Sequence, residues 1–267
     1  MSNQLRNIRL FLLDIDGVIL IGKTPIDVAP EGVRMLRRKG ARVMFITNNS
    51  TRSRDSLLRE LTNAGLEVEI NDILTTAYCT TRYLRSERVV DVYVIGETGL
   101  IEELTDAGMR MVDDKAARCD AVVAGLDRSL TYAKLATAQR FIQTGARFVA
   151  TNTDATLPTE TGETPGAGAI VSALTTCTGM KPVVIGKPEA TLMHTALEAT
   201  GVSRERCAIV GDRSETDILM AKNAGCLGIL VLTGIATSQR LEDYLSDRRP
   251  DLIFRSVLDL AEHYQPA

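Results

Sequence analysis

The feature that most constrains this chain is a set of short, unbroken apolar runs, each ending abruptly at a polar cluster. Leu10 to Leu13 stops at Asp14, and Val43 to Ile46 stops at Thr47. Val183 to Ile185, Ala208 to Val210, Gly228 to Leu232 and Leu252 to Phe254 repeat the pattern towards the other end. A run that is apolar at every position suits a strand covered on both faces, as in a parallel sheet whose crossovers are helices. Helical patterns separate the runs. One covers residues 31–39 before a stop at Gly40, and another follows a Ser53 cap with Leu57, Leu58 and Leu61 on one face. The alternation predicts an α/β fold with a doubly wound parallel sheet.

The middle of the chain has an alternation of its own. Val92 to Ile95 precedes a helix over 100–107, Ala121 to Ala124 precedes a helix over 132–144, and Phe148 to Ala150 precedes a helix beginning at Gly168. The expected organisation is a core built from residues 1–78 and 183–267, interrupted by a second α/β domain at 79–182.

Ligands of open parallel sheets bind beyond the carboxyl ends of the strands. The segments there are DIDG at 14–17, TNNS at 47–50, GKP at 186–188 and GDRSETD at 211–217, all polar. Alone, each has an ordinary reading: a polar turn for DIDG, a strand-end cap for Thr47, a surface lysine for Lys187, a helix N-terminal acid for Asp217. A calcium loop also opens with DxDG, but it needs further oxygen ligands, and here Val18 to Ile21 follow.

Taken together, the segments permit phosphoryl transfer. Asp14, Asp16 and Asp212 in one crevice repel one another unless a cation is present, and hard carboxylate oxygens suit Mg²⁺. Asp14 would attack phosphorus, and Asp16 would protonate the leaving alcohol and then deprotonate a water. Lys187, Thr47 and the backbone N–H groups near Asn48 and Asn49 would hold phosphoryl oxygens. Asp217 would stand behind the metal ligands.

The order DxD, Thr, Lys, GDxxxTD along the whole chain resembles the haloacid dehalogenase superfamily. TNNST at 47–51, the large insertion, VIGETGL at 94–100, GLDRSLTYAKL at 125–135 and residues 150–170 resemble its NagD-like, para-nitrophenyl phosphatase-like subgroup. The resemblance implies a Rossmann-like core with an inserted α/β cap that sets specificity. It implies Asp14 as nucleophile and Asp16 as general acid/base. It places Mg²⁺ on Asp14, the Asp16 carbonyl and Asp212, phosphate on Thr47, Asn48 and Lys187, and Asp217 beside a water or Lys187. Dehalogenases of the superfamily lack the second Asp, so Asp16 favours phosphatase chemistry. In the cap, Asp127, Asn152 and Asp154 are candidate substrate contacts.

A net charge of −3 provides no basic surface for nucleic acid, and no apolar stretch is long enough for a bilayer span. Five scattered cysteines without a CxxC pair suit a reduced, cytoplasmic setting and no zinc site. The expected partner is a small phosphorylated metabolite: a sugar phosphate, nucleotide, glycerol phosphate or pyridoxal phosphate. Related caps often mediate dimers, so a homo-oligomer through the cap is a further expectation. Two other functions share the motifs: an inactive phosphometabolite sensor, and a phosphotransferase to an alcohol. A signalling receiver domain shares only the chemistry of its residues, and this chain is too long for one.

Overall fold

A computed structural model of the chain describes residues 2–159, 162–235 and 246–267. Glu160 and Thr161, within the 150–170 segment, lie outside them. The described residues form two compact units, one lying within 1–47, 57–74 and 187–267 and the other within 48–56 and 75–186.

The first unit is built on a six-stranded sheet, in the order Leu252–Phe254, Leu227–Val231, Cys207–Gly211, Leu10–Asp14, Arg42–Thr47, Ile73–Thr75. Leu10–Asp14 lies centrally and pairs in parallel with both neighbours, with Leu10 opposite Cys207 on one side and Arg42 on the other. All five of its residues are buried, as the unbroken apolar run requires. Phe11, Leu13, Phe45, Val210 and Ile229 join Val33, Leu36, Leu57, Leu61 and Leu260 in one core. Each such aliphatic or aromatic side chain contributes about 1.5–3 kcal/mol on burial. Helix Ala29–Arg38 begins with Pro30 in its first turn and ends before Gly40.

The second unit has its own five-stranded parallel sheet, in the order Val183–Val184, Arg147–Ala150, Ala121–Ala124, Asp91–Ile95, Arg110–Met111. Its core includes Ile95, Val122, Phe141, Phe148 and Leu174. A hairpin of Thr156–Thr159 and Gly162–Pro165 follows its strand Arg147–Ala150.

Residues 48–56, 75–78 and 183–186 differ from expectation, since all of them belong to the second unit. The run at 183 falls within the expected core, but Val183 and Val184 pair with Val149 and Ala150 of the second unit. A three-residue apolar run carries no information about which sheet it joins, because its partner is distant in sequence. Residues 48–56 also cluster with the second unit, although they lie within the stretch assigned to the core. Helix Thr76–Ser86 buries Thr76, Thr80 and Thr81 alongside Ala77, Cys79 and Leu84. Thr80 and Thr81 satisfy their hydroxyls on the carbonyls of Thr76 and Tyr78, both at 2.7 Å. No helix among the described residues is long and apolar enough to cross a membrane.

Candidate active site

The strand Leu10–Asp14 delivers Asp14 at its carboxyl end. Asp14 Oδ1 accepts the Ile15 N–H at 2.9 Å, and Oδ2 lies 2.8 Å from Lys187 Nζ. Lys187 opens the last segment of the first unit and also donates to Asp217 Oδ1 at 2.7 Å. Asp212 follows the strand Cys207–Gly211, and Asp217 sits in the π-helical turn Ser214–Ile218 behind it. Asp14, Asp212 and Asp217 each present an oxygen, with the three oxygens within 4.8 Å of one another. All three carboxylates and the lysine are buried. Asp16 is half-buried and accepts from Thr47 Oγ1 at 3.3 Å. The four strand-end motifs therefore meet through Asp14, Asp16, Thr47, Lys187, Asp212 and Asp217.

Burial pushes the Asp14 carboxyl well above its ordinary range; Lys187 opposes the shift, while Asp217, Asp212 and Asp16 reinforce it. Asp212 is pushed up to about 6, by burial and then by Asp217. Burial by itself would discharge Lys187, but the Asp14 and Asp217 carboxylates outweigh it and hold the ammonium above its usual value. One cation thus serves two carboxylates at hydrogen-bond distance, while among the described residues Asp212 forms no such ion pair.

The surroundings of Asp212 fit a bound cation. Its Oδ2 accepts the Ile235 N–H at 2.7 Å, whereas its Oδ1 is buried and accepts no hydrogen bond among the described residues. An ionised oxygen so placed is costly unless something positive meets it. Close packing fixes the side chain. A Cβ on Gly17, which has φ +83°, would lie 2.2 Å from Asp212 Oδ2, and one on Gly234 would lie 2.0 Å from it. Thr233 Oγ1 donates to the Gly17 carbonyl at 2.7 Å and ties the two flanking loops together. The Thr233-Gly234-Ile235 loop was not singled out in the sequence, although it follows an apolar run as the other motifs do. Gly211 is likewise required, since a Cβ there would meet Asp217 Cγ at 2.1 Å.

These shifts give a pH-dependent expectation. A carboxyl with a raised folded-state pKa stabilises the fold relative to its charged form below the unfolded value of 3.8, and that contribution disappears as pH rises through about 6. A divalent cation binds the deprotonated form and offsets the charge. Saturating Mg²⁺ is therefore expected to raise the melting temperature more at pH 7.5 than at pH 5, measured against EDTA by differential scanning fluorimetry. An equal or larger shift at pH 5 would contradict the cation assignment.

In the second unit, the remaining candidates fall into two networks. Asp127 is buried and accepts from Ser129 N and Oγ at 2.8 and 2.7 Å and from Lys134 Nζ at 2.7 Å. Burial opposes ionisation, but these donors hold its carboxyl below the ordinary value. The side chain thus closes a turn and anchors a helical lysine. Asn48, Asn152 and Asp154 form the other network: Asn48 Nδ2 donates to both Asp154 oxygens, and Asn152 Nδ2 donates to the Asn48 carbonyl at 2.7 Å. Asn49 Oδ1 accepts from Thr51 N and Oγ1, closing an Asx turn.

Comparison with known proteins gives consistent relatives. The haloacid dehalogenase-like hydrolase family matches residues 11–110, and a second profile for such hydrolases matches residues 184–260. The chain is 36% identical over 239 residues to an acid sugar phosphatase of Staphylococcus saprophyticus, covering 89% of this chain and 92% of that protein. It is 39% identical to a p-nitrophenyl phosphatase from Archaeoglobus fulgidus, with a TM-score of 0.90 over 96% of this chain and 98% of that one. A glycerol phosphate phosphatase from Mycobacterium tuberculosis, solved in complex with magnesium, is 34% identical, with a TM-score of 0.88 over 100% of this chain and 79% of that one.

Proposed function

The chain belongs to the haloacid dehalogenase-like hydrolase family, and from that premise we propose that this phosphatase hydrolyses small phosphate monoesters through an aspartyl-phosphate on Asp14. The observation that carries this reading is the grouping of Asp14, Asp212 and Asp217, the first and last of them paired with the buried Lys187, with Asp212 Oδ1 unmatched among the described residues.

In the first step a carboxylate oxygen of Asp14 attacks phosphorus as the ester P–O bond breaks, and Asp16 gives its proton to the departing alkoxide. In the second step Asp16 takes a proton from water as that water attacks phosphorus. The bond to Asp14 then breaks, and inorganic phosphate leaves. The Ile15 N–H and Lys187 fix the Asp14 carboxylate for attack. Lys187 and Thr47 hold phosphoryl oxygens as charge develops, and Asp217 keeps the Lys187 ammonium in place. A Mg²⁺ ion held by Asp14, Asp212 and the Asp16 carbonyl would screen the repulsion between the Asp14 carboxylate and the substrate phosphate. The hydrogen bond from Thr47 Oγ1 to Asp16 Oδ2 at 3.3 Å supports this reading, because it sets the two side chains beside each other.

The substrate class proposed is a small phosphorylated metabolite such as a sugar phosphate, glycerol phosphate or nucleotide. Para-nitrophenyl phosphate tests the reaction without the specificity problem. Turnover is expected with Mg²⁺ and is expected to vanish with EDTA and return on adding Mg²⁺. A folded protein that turns over neither this ester nor a panel of phosphorylated metabolites would overturn the reading in favour of a phosphometabolite sensor.

A further inference from the structure

Asn48, which follows Thr47 and belongs to the second unit, is held from several directions by other residues of that unit. Asn48 Nδ2 donates to Asp154 Oδ1 at 3.0 Å and to Oδ2 at 3.1 Å. The Asn48 carbonyl accepts twice, from Asn152 Nδ2 at 2.7 Å and from Thr76 Oγ1 at 2.9 Å, which uses both its lone pairs. Asn152 Oδ1 accepts the Asp154 N–H at 3.1 Å, so the two gripping residues also fix each other. Asn48 and Asn152 are both buried, and bonds to the Asp154 carboxylate are of the stronger, charge-assisted kind.

Two consequences follow from elementary geometry. A trans peptide is planar, with its C=O and N–H pointing in opposite directions. Fixing the Asn48 carbonyl on Asn152 and Thr76 therefore fixes the Asn49 N–H, aimed away from them. The same loop also receives the chain just before Lys187: a Cβ on Gly186 would lie 2.6 Å from Asn48 Oδ1 and from the Thr151 carbonyl, and 2.9 Å from Asn152 Cβ. Only a residue without a side chain lets that backbone approach so closely. The peptide neighbours of Thr47 and of Lys187 are thus packed on one short loop, residues 151–154.

We propose that Asn152 and Asp154 are positioning residues for catalysis: they do not read the substrate but hold the peptide groups around Asn48, and through them Thr47 and Lys187, at the angle that binds the transferring phosphoryl group. This deepens the phosphatase reading and rests on it. It gives Asn152 and Asp154 a role other than the expected substrate contact, on the ground that Asn152 Nδ2 and both Asp154 oxygens bond Asn48. A loss of aim at an oxyanion donor, with the donor itself retained, lowers the rate more than it lowers binding.

The test is a double-mutant cycle with para-nitrophenyl phosphate and saturating Mg²⁺. Asp154→Ala is expected to lower kcat about 10- to 100-fold while KM changes by less than about threefold. Asn48→Ala, which keeps the backbone, is expected to have a similar effect. Because both remove the same link, the double variant is expected to be no slower than the slower single one. Asp154→Asn retains an oxygen for Asn48 Nδ2 and is expected to recover most of the activity lost in Asp154→Ala; Asn48→Ala, which removes the same link, carries the test if Asp154→Ala does not fold. Binding of inorganic phosphate, measured by calorimetry, is expected to weaken in Asp154→Ala, a readout independent of turnover. An Asp154→Ala enzyme within twofold of wild type in kcat and phosphate affinity overturns the proposal, as do single effects that multiply in the double variant. Inactive wild-type protein would instead count against the phosphatase reading, and phosphate calorimetry would still decide the role of Asp154.

Discussion

Replacing Asp14 with asparagine is expected to lower kcat on para-nitrophenyl phosphate by about 10⁴-fold or more while leaving the fold intact. Asparagine has nearly the same shape, and its oxygen can still accept the Ile15 N–H that Asp14 Oδ1 accepts at 2.9 Å. Lys187 keeps its bond to Asp217 at 2.7 Å. The lost charge had been opposed by burial and by three neighbouring carboxylates, so its removal relieves repulsion at the same time as it breaks one ion pair. The melting temperature without metal is therefore expected to stay near that of wild type. Loss of activity without loss of structure separates a chemical role for Asp14 from a structural one. Rapid acid quenching should also capture a phosphate adduct on wild-type protein and none on the variant. Residual turnover within tenfold of wild type would sink Asp14 as nucleophile, and an adduct on another residue would relocate it.

The second large effect concerns stability. Lys187→Met is expected to cost about 3–5 kcal/mol at pH 7.5 in EDTA, measured by urea denaturation. Methionine fills similar volume but leaves Asp14 and Asp217, both buried, without the cation that sits 2.8 and 2.7 Å from them. Asp14, whose carboxyl burial already pushes up, must then stay ionised without its partner or take up a proton. Protonation removes the charge, so the loss should shrink towards pH 5. Activity is expected to fall by about 10³-fold even where the protein remains folded, because a charged donor to the phosphoryl oxygens is gone. A variant within about 1 kcal/mol of wild type at pH 7.5 would mean that Lys187 is not what balances these carboxylates.

The two units differ in how far their residues could be read in advance. The strand ends of the first unit were legible because a buried parallel strand must be apolar throughout, so its end is marked by the first polar residue. Asp14, Thr47 and Asp212 are all marked in this way, and the distance from Asp212 to Asp217 is a local matter of one turn. The Thr233 to Ile235 loop has the same position after a strand, yet it offers only a hydroxyl and backbone groups. Nothing in its composition announces that Ile235 N–H and a bare Gly234 enclose Asp212. Asp127, Asn152 and Asp154 were recognised as notable, but their partners were not, since Asp154 bonds a residue 106 positions away.

The sequence by itself therefore determined the alternation of strand and helix, the parallel sheets and the polar groups at the strand ends. These follow from local rules of burial and periodicity that act within a few residues. Only the tertiary structure decided that Val183–Val184 completes the second sheet and that residues 48–56 leave the first unit for the second. It alone decided that one lysine is shared by two aspartates and that Asn48 is held by Asn152 and Asp154. The physical reason is the same in each case: a hydrogen bond or strand pairing fixes a partner by distance in space, and a short polar or apolar segment can pair equally well with many others until the whole chain has packed.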